Sequence, residues 1–280
     1  MQAGESAQVR SLLREAASRL GAAGVGSPRT DSELLLAHVL ECERGRLYLL
    51  DVIDTVQAER YRAVVERRAA REPLQHITGN AWFLDLDLQV GPGVFVPRPE
   101  TETLAQWGID HIAGLERPTV VDLCSGSGAL ALAVARARPD AEAYAVEVSP
   151  EALEWLGRNA FGTRVRVVPG DVRDPDLLAE VRGQADLVLC NPPYVPAAQR
   201  VPVEVRADPP LAVFAGVDGL DLIPAVAELA ADLLRDGGRA GIEHDESHPE
   251  EVARILGRHF RDVRGLPDLA GRPRFTTGVK

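Results

Sequence analysis

The spacing of apolar residues changes character along the chain. Val9, Leu12, Leu13, Ala16 and Leu20 recur every three or four positions, the mark of one buried helix face. Thr30 and Glu33 are spaced as a capping box ahead of the run LLLAHVL, and Tyr61, Val64 and Val65 mark a further helix. Residues 1–75 are therefore expected to form a small helical bundle domain. At Trp82, Leu84, Leu86, Leu88 and Val90 the spacing switches to alternation, as in a half-buried strand. Gly91, Pro92 and Gly93 predict a turn and residues 94–96 the returning strand, giving a β-hairpin linker over 76–98. Pro99 suits the first turn of the next helix, with Glu100 and Glu102 near its positive end.

From about residue 118 the pattern becomes strand, turn, helix, repeated. TVVDL, AEAYAVEV, VRVVPGD, ADLVLC and GRAGIEH read as strands, and ALALAVARA, PEALEWLGRNA, LIPAVAELAADLL and PEEVARILGRHF as helices. Such alternation predicts an α/β domain over 99–280, a parallel sheet with helices on both faces. Ligands of such sheets sit at the carboxyl ends of the strands, so the functional residues are expected at those ends.

Composition narrows the setting. A hydrophobic fraction of 45% is enough for a packed core, and no apolar run approaches a membrane span. Cys42, Cys124 and Cys190 are far apart without metal-type spacing, which suits a reducing cytoplasm. The net charge is −11, yet residues 1–75 hold 11 Arg against 11 Asp+Glu, so the excess acid lies beyond them. That balance disfavours loose binding to nucleic-acid phosphates. The neutral helical part is a candidate recognition module.

The first strand end reads VVDLCSGSGALALAVA. Gly126 and Gly128 let the backbone turn tightly and a ligand approach, and the following helix presents its N–H groups there. The turn is neither GxGxxG nor a P-loop, and Asp122 just before it disfavours pyrophosphate and suits an ammonium group. The second strand ends in Glu147, placed to accept ribose hydroxyls, and the third in Asp171, placed to accept from an adenine amino group. The fourth ends in Asn191, Pro192, Pro193 and Tyr194. Two prolines end strand pairing and leave bare carbonyls. Glu243, His244, Asp245 and His248 could suggest a metal, but SHPE more simply opens a helix, with Ser247 or His248 as cap and Pro249 in its first turn. No metal is expected.

These features together resemble the class I S-adenosylmethionine-dependent methyltransferases, whose glycine motif DLCSGSG matches except for Cys124 in place of the first glycine. That replacement is expected to be tolerated only if position 124 needs no positive φ. NPPY is similar to the branch that methylates planar nitrogens. REPLQHITG, FVPRPETE, NPPYVP and GVDGLD, in this order, are similar to the PrmC/HemK family of release factor glutamine N5-methyltransferases. The resemblance implies a Rossmann-like fold and S-adenosyl-L-methionine held by Cys124, Ser125, Gly126, Ser127, Gly128, Glu147, Asp171, Val172 and Asn191. It implies catalysis and substrate binding by Asn191, Pro192, Pro193 and Tyr194, with Arg98 lining the substrate side. The partner it implies is a bacterial class I peptide chain release factor, methylated on the glutamine of Gly-Gly-Gln. The alternative is a nucleic-acid amino methyltransferase acting on adenine N6 or guanine N2, with the same geometry.

Physically, an amide nitrogen is a poor nucleophile that carries two N–H groups. The Asn191 side-chain oxygen can accept one and the Pro192 carbonyl the other, while Tyr194 offers a flat face.

Overall fold

The computed structural model describes residues 6–280, and the expectation of helical structure for residues 1–5 lies outside them. The chain divides into two units: Met1–Gly79 with Pro202–Ala207, and Asn80–Val201 with Asp208–Lys280.

In the first unit, β1 (Ser6–Gln8) leads into α1 (Val9–Ala22), then α2 (Pro28–Val39), β2 (Val52–Asp54), α3 (Thr55–Ala69) and α4 (Leu74–Thr78). β1 and β2 pair antiparallel. Val9, Leu12, Ala16 and Leu20 are buried as their spacing predicts, against Leu35, Leu36, Tyr61 and Val65. The capping box expected at Thr30 and Glu33 does not form. Pro28 starts α2 one turn earlier, with Ser27 at the N-cap, so Thr30 lies within the helix. Glu33 is buried and instead accepts from Arg29 and Arg44. A true capping box joins Asp54 and Gln57 at the start of α3.

A buried ion pair crosses this unit, with Arg68 Nε donating to Asp31 Oδ2 at 2.7 Å. Arg68 also donates to Glu204, 3.1 Å away, and Arg71 donates to both Glu204 oxygens at 2.8 and 2.7 Å. Glu204 brings Pro202–Ala207 into this unit through charge rather than apolar contact.

The second unit opens with a hairpin of β3 (Asn80–Phe83) and β4 (Leu86–Gln89). The hairpin's own turn falls between them, with Leu84 at φ +52; the chain also turns at residues 91–94 as expected, Val94 N donating to Gly91 O at 3.4 Å, but residues 94–96 form no strand. The alternation over 82–90 does not carry through in the fold: across the turn the buried positions shift phase, from Ala81 and Phe83 to Leu88 and Val90, which leaves Trp82 exposed. After α5 (Glu102–Ile112) come β5 (Thr119–Leu123), α6 (Ala129–Ala137), β6 (Glu142–Glu147), α7 (Pro150–Ala160), β7 (Arg166–Pro169) and β8 (Ala185–Cys190). A short α8 (Pro210–Val213) precedes α9 (Ile223–Leu233), β9 (Leu234–Glu243), α10 (Pro249–Leu256), β10 (Arg261–Pro267) and β11 (Pro273–Val279).

Seven strands form one sheet in the order β10-β11-β9-β8-β5-β6-β7. β9, β8, β5, β6 and β7 are mutually parallel, as predicted. Val120, Leu187 and Leu189 face a core shared with α5 and α6, while Val121, Leu123, Val188 and Cys190 face one shared with α9 and α10. The antiparallel β10 and β11 are additions to the expected sheet. Their signal is weak because β11 buries polar Thr276 and Thr277; the Thr276 hydroxyl meets His244 Nε2 at 2.9 Å.

Arg71 and Arg68 hold the Glu204 carboxyl down, to a pKa of about 2. A depressed carboxyl contributes stability above its unfolded pKa, and that contribution is lost as pH falls toward the folded value. Glu204→Gln is expected to destabilise the protein by on the order of 2 kcal/mol at neutral pH. In urea melts, that difference should shrink as pH falls below about 4.5 and vanish near 2. A pH-independent difference would assign it to packing.

Candidate active site

The site is built at the carboxyl edge of the parallel strands. β5 lies between β6 and β8, with Leu123 paired to both Val146 and Cys190. The turns after β5, β6 and β8 therefore leave the sheet side by side.

Residues 124–128 form the turn between β5 and α6. Gly126 and Gly128 have φ of +56 and +89. A Cβ at Gly128 would come within 2.6 Å of Leu156 Cδ1, so helix packing itself requires glycine there. A Cβ at Gly126 would enter open space, which leaves the backbone accessible to a ligand. Contrary to expectation, Cys124 does take a positive φ, +58. The left-handed conformation costs a non-glycine residue about 1–2 kcal/mol. Bonds on either side of it hold the turn: Ser125 N donates to Val146 O at 2.9 Å, and Ser125 Oγ to Asp122 O at 2.9 Å. Ser127 is buried, and its carbonyl accepts from Asn159 Nδ2 at 3.0 Å.

Glu147 is buried at the end of β6 and holds this turn as well as facing it. Its Oε2 accepts from Gly126 N, and its Oε1 from Val148 N and Ser149 N, each at 2.8 Å. A carboxylate has about four lone-pair sites, so capacity remains for ligand hydroxyls. Asp122 is buried beneath the turn. Its Oδ2 accepts from Ala131 N at 3.1 Å, and its Oδ1 has no partner among the described residues. Burial raises its pKa to about 7. An ammonium group is the ligand chemistry that such an oxygen fits. Asp171 follows β7, where its Oδ1 accepts from Arg173 N at 2.9 Å, and Val172 beside it is buried.

At the end of β8, Pro192 is buried. Asn191 Nδ2 donates to Thr101 Oγ1 at 3.1 Å. Among the described residues, neither Asn191 Oδ1 nor the Pro192 carbonyl accepts a hydrogen bond. Tyr194 donates its hydroxyl to Glu243 Oε1 at 3.1 Å, which fixes its ring. The loop rests on residues 213–221. Val195 N donates to Val213 O at 2.9 Å and Ala197 N to Gly216 O at 2.8 Å. Gly219, at φ +81, lies so close that a Cβ would come 2.2 Å from the Tyr194 carbonyl oxygen. GVDGLD is thus the platform under NPPY.

Arg98 is ion-paired to buried Asp208, which also accepts from Val96 N, and its guanidinium lies 4.9 Å from the Phe95 ring centroid. It does not pair with Glu100, which meets Arg272 at 3.2 Å. Thr101 and Glu243 join the site without a local signal that marks them: Thr101 sits inside FVPRPETE, and Glu243 stands out in the sequence only beside His244, Asp245 and His248. His244 is instead held by Thr276 and the Asp245 carbonyl. His248 occupies the N-cap of α10 without a side-chain cap, and Pro249 opens the helix as expected. Among the described residues no cluster of His, Cys, Asp and Glu suited to a metal is found. Nor is any helix there long and apolar enough to cross a membrane.

Comparison with known proteins adds a second line. Residues 11–79 match the PrmC N-terminal domain family and residues 87–206 the methyltransferase small domain family. The chain is 49% identical to the release factor glutamine methyltransferase of Corynebacterium glutamicum, over 96% of this chain and 97% of that one. It is 48% identical to that of Streptomyces coelicolor, over 96% of each chain. Against that of Deinococcus radiodurans the identity is 41%, over 96% of this chain and 97% of the other. Among solved structures, the 16S rRNA N2 methyltransferase RsmC of T. Thermophilus, in complex with AdoMet and guanosine, superposes with a TM-score of 0.52 at 20% identity. That match covers 72% of this chain and 49% of the other, and it shows a shared methyltransferase fold.

Glu147→Ala strands three backbone N–H groups around the glycine turn. It is expected to lower unfolding free energy by about 1–3 kcal/mol in denaturant titration. Unchanged stability would mean that Glu147 does not hold the turn.

Proposed function

The chain belongs to the release factor glutamine methyltransferases, and we propose on that premise how its residues carry the reaction. It is a methyltransferase. The methyl group passes from S-adenosylmethionine to the side-chain amide nitrogen, N5, of the glutamine in the Gly-Gly-Gln motif of a bacterial class I peptide chain release factor. The observation that carries this reading is the pair of unengaged acceptors, Asn191 Oδ1 and the Pro192 carbonyl, leaving the sheet one strand from the glycine turn.

S-adenosylmethionine, when bound, supplies an electrophilic methyl group on a sulfonium centre. Residues 124–128 would present their backbone to it; Asp122 Oδ1, which has no partner among the described residues, would receive its ammonium group, and Glu147, beside the glycine turn, its ribose hydroxyls. Asp171 and Val172 would take its adenine end. Asn191 Oδ1 and the Pro192 carbonyl each accept one N–H of the glutamine amide, which turns the nitrogen lone pair toward the methyl carbon. Such positioning can supply up to roughly 7–11 kcal/mol of the barrier. Both acceptors also favour the positive charge that develops on nitrogen during attack. No base is needed first, because the product amide releases its proton to water afterwards. Tyr194, held by Glu243, walls one side of the amide. Arg98, held by Asp208, lines the substrate side.

One glutamine offers little surface for selection, so we assign recognition of the release factor's body to the helical unit. Tyr48, Leu49, Val52 and Val56 are exposed there and supply apolar area. The release factor substrate and the free cysteines Cys42, Cys124 and Cys190 support a cytoplasmic setting.

Mass spectrometry of a purified release factor after incubation with this protein and S-adenosylmethionine should find the Gly-Gly-Gln peptide one methyl group heavier. Asn191→Ala should reduce turnover by roughly a hundredfold or more, with cofactor affinity much less affected. An unmodified glutamine, or normal turnover of Asn191→Ala at saturating substrate, would refute the assignment. Leu49→Glu should raise KM for the intact release factor and leave a short Gly-Gly-Gln peptide unaffected. Equal effects on both substrates would remove the helical unit from recognition.

A further inference from the structure

The turn between β5 and α6 contains Gly126 and Gly128, both at positive φ, so its backbone alone does not fix its shape. The hydrogen bonds on its peptide groups must do so. The Ser125–Gly126 peptide is held at its N–H by Glu147 Oε2, 2.8 Å away. The Ser127–Gly128 peptide is held at both ends. Gly128 N donates to Ser125 O at 2.8 Å, and the Ser127 carbonyl accepts from Asn159 Nδ2 at 3.0 Å.

Asn159 reaches this turn from the last turn of α7. Leu156, three residues earlier and on the same helix face, is the residue whose Cδ1 a Cβ at Gly128 would meet at 2.6 Å. Glycine at 128 thus lets α7 come close enough for the Asn159 amide to bond the turn. The rest of that amide is committed to the hairpin. Asn159 Oδ1 accepts from Gln89 N at 2.8 Å, and Nδ2 also donates to Gln89 O at 3.0 Å. Both backbone groups of the last residue of β4 therefore end on one side chain. The orientation of the amide is forced, because two carbonyls need its NH2 and one N–H needs its oxygen. Reversal would oppose like groups at all three contacts. Trp155 braces α7 against the chain just beyond the hairpin, its Nε1 donating to Pro92 O at 3.1 Å.

We propose that Asn159 is a positioning residue for S-adenosylmethionine, pinning the Ser127–Gly128 peptide to the β3–β4 hairpin so that the hairpin helps set the shape of the cofactor turn. The identity of the ligand rests on the methyl-transfer reading of the site; the pin rests on the hydrogen bonds alone. A turn already held in its binding shape loses less conformational freedom when the ligand arrives, which tightens binding. Coupling of this kind is reciprocal, so cofactor on the turn steadies the hairpin in return.

Two variants test the pin in the full chain. Asn159→Ala removes it, while Asn159→Asp keeps its size but sets a carboxylate oxygen against the Ser127 and Gln89 carbonyls. Calorimetry should show S-adenosylmethionine binding weakened about tenfold in Asn159→Asp, the scale of one hydrogen bond, and nearly as much in Asn159→Ala. With a purified release factor, both variants should raise KM for S-adenosylmethionine and keep kcat near wild type at saturating cofactor. A role confined to holding the hairpin would lower stability and leave cofactor affinity as it is. Wild-type affinity in both variants overturns the proposal.

Hydrogen exchange supplies a readout without turnover. In the unliganded protein, the Gly128 N–H should exchange about tenfold faster in Asn159→Ala, although it bonds Ser125 O and not Asn159. The Val121 N–H in β5 serves as the reference for opening of the whole sheet. In wild type, S-adenosylmethionine should slow exchange of the Gln89 N–H, and in Asn159→Ala that response should be gone. Gly128 exchange at the wild-type rate in Asn159→Ala, or a Gln89 N–H that does not respond to cofactor in wild type, overturns the proposal. If wild type and Asn159→Ala bind S-adenosylmethionine equally well, this inference alone falls. If wild type binds none, the methyl-transfer reading falls with it.

Discussion

The pairing of β5 with β8, Leu123 beside Cys190, is the constraint on which the site depends. β5 is the strand from which the chain steps outward in both directions, to β6 and β7 on one side and to β8 and β9 on the other. At such a switch point the turns after adjacent strands diverge and leave a crevice. The glycine turn after β5 and the NPPY loop after β8 border it. Their spacing is set by a ladder of backbone hydrogen bonds between strands buried on both faces. Loops that must hold two reactants in line are in this way carried by the stiffest part of the unit.

Around that crevice the chain buries carboxylates, a placement that is costly unless each has a task. Glu147 holds three backbone N–H groups and so shapes the glycine turn. Asp122 tethers the start of α6 with one oxygen and keeps the other unengaged. Glu243 holds the Tyr194 hydroxyl. Low dielectric raises the pKa of Asp122 and Glu243 toward neutrality, and the same low dielectric strengthens every bond they accept. Local strain at Cys124 fits this pattern: the surrounding hydrogen bonds determine the turn so fully that a non-glycine residue is held in the left-handed region.

Much of this was legible in the chain. Buried strands such as ADLVLC read as continuous apolar runs, and helices such as ALALAVARA ended where their pattern did. NPPY and the glycine turn were visible because each combines residues with unusual backbone demands. Where two readings shared one pattern, the sequence misled. Alternation through residues 82–90 concealed a turn at Leu84, since an L-residue there adopts positive φ without the glycine that would have announced it. Thr30 and Glu33 had capping-box spacing, but Pro28 opened α2 sooner.

Local sequence thus determined which residues could form strands, where they had to stop, and which side chains would stand at those stops. It could not determine partners that depend on distant segments meeting. Thr101 and Asn191 are 90 residues apart, and Tyr194 and Glu243 are 49 apart. Their contacts exist only because α5 packs across the sheet and β9 pairs with β8. The direction of a hydrogen bond follows from which groups are buried together, and burial is a property of the assembled core. The NPPY motif was therefore written in the chain, while the contacts that hold its asparagine and its tyrosine were decided by tertiary structure.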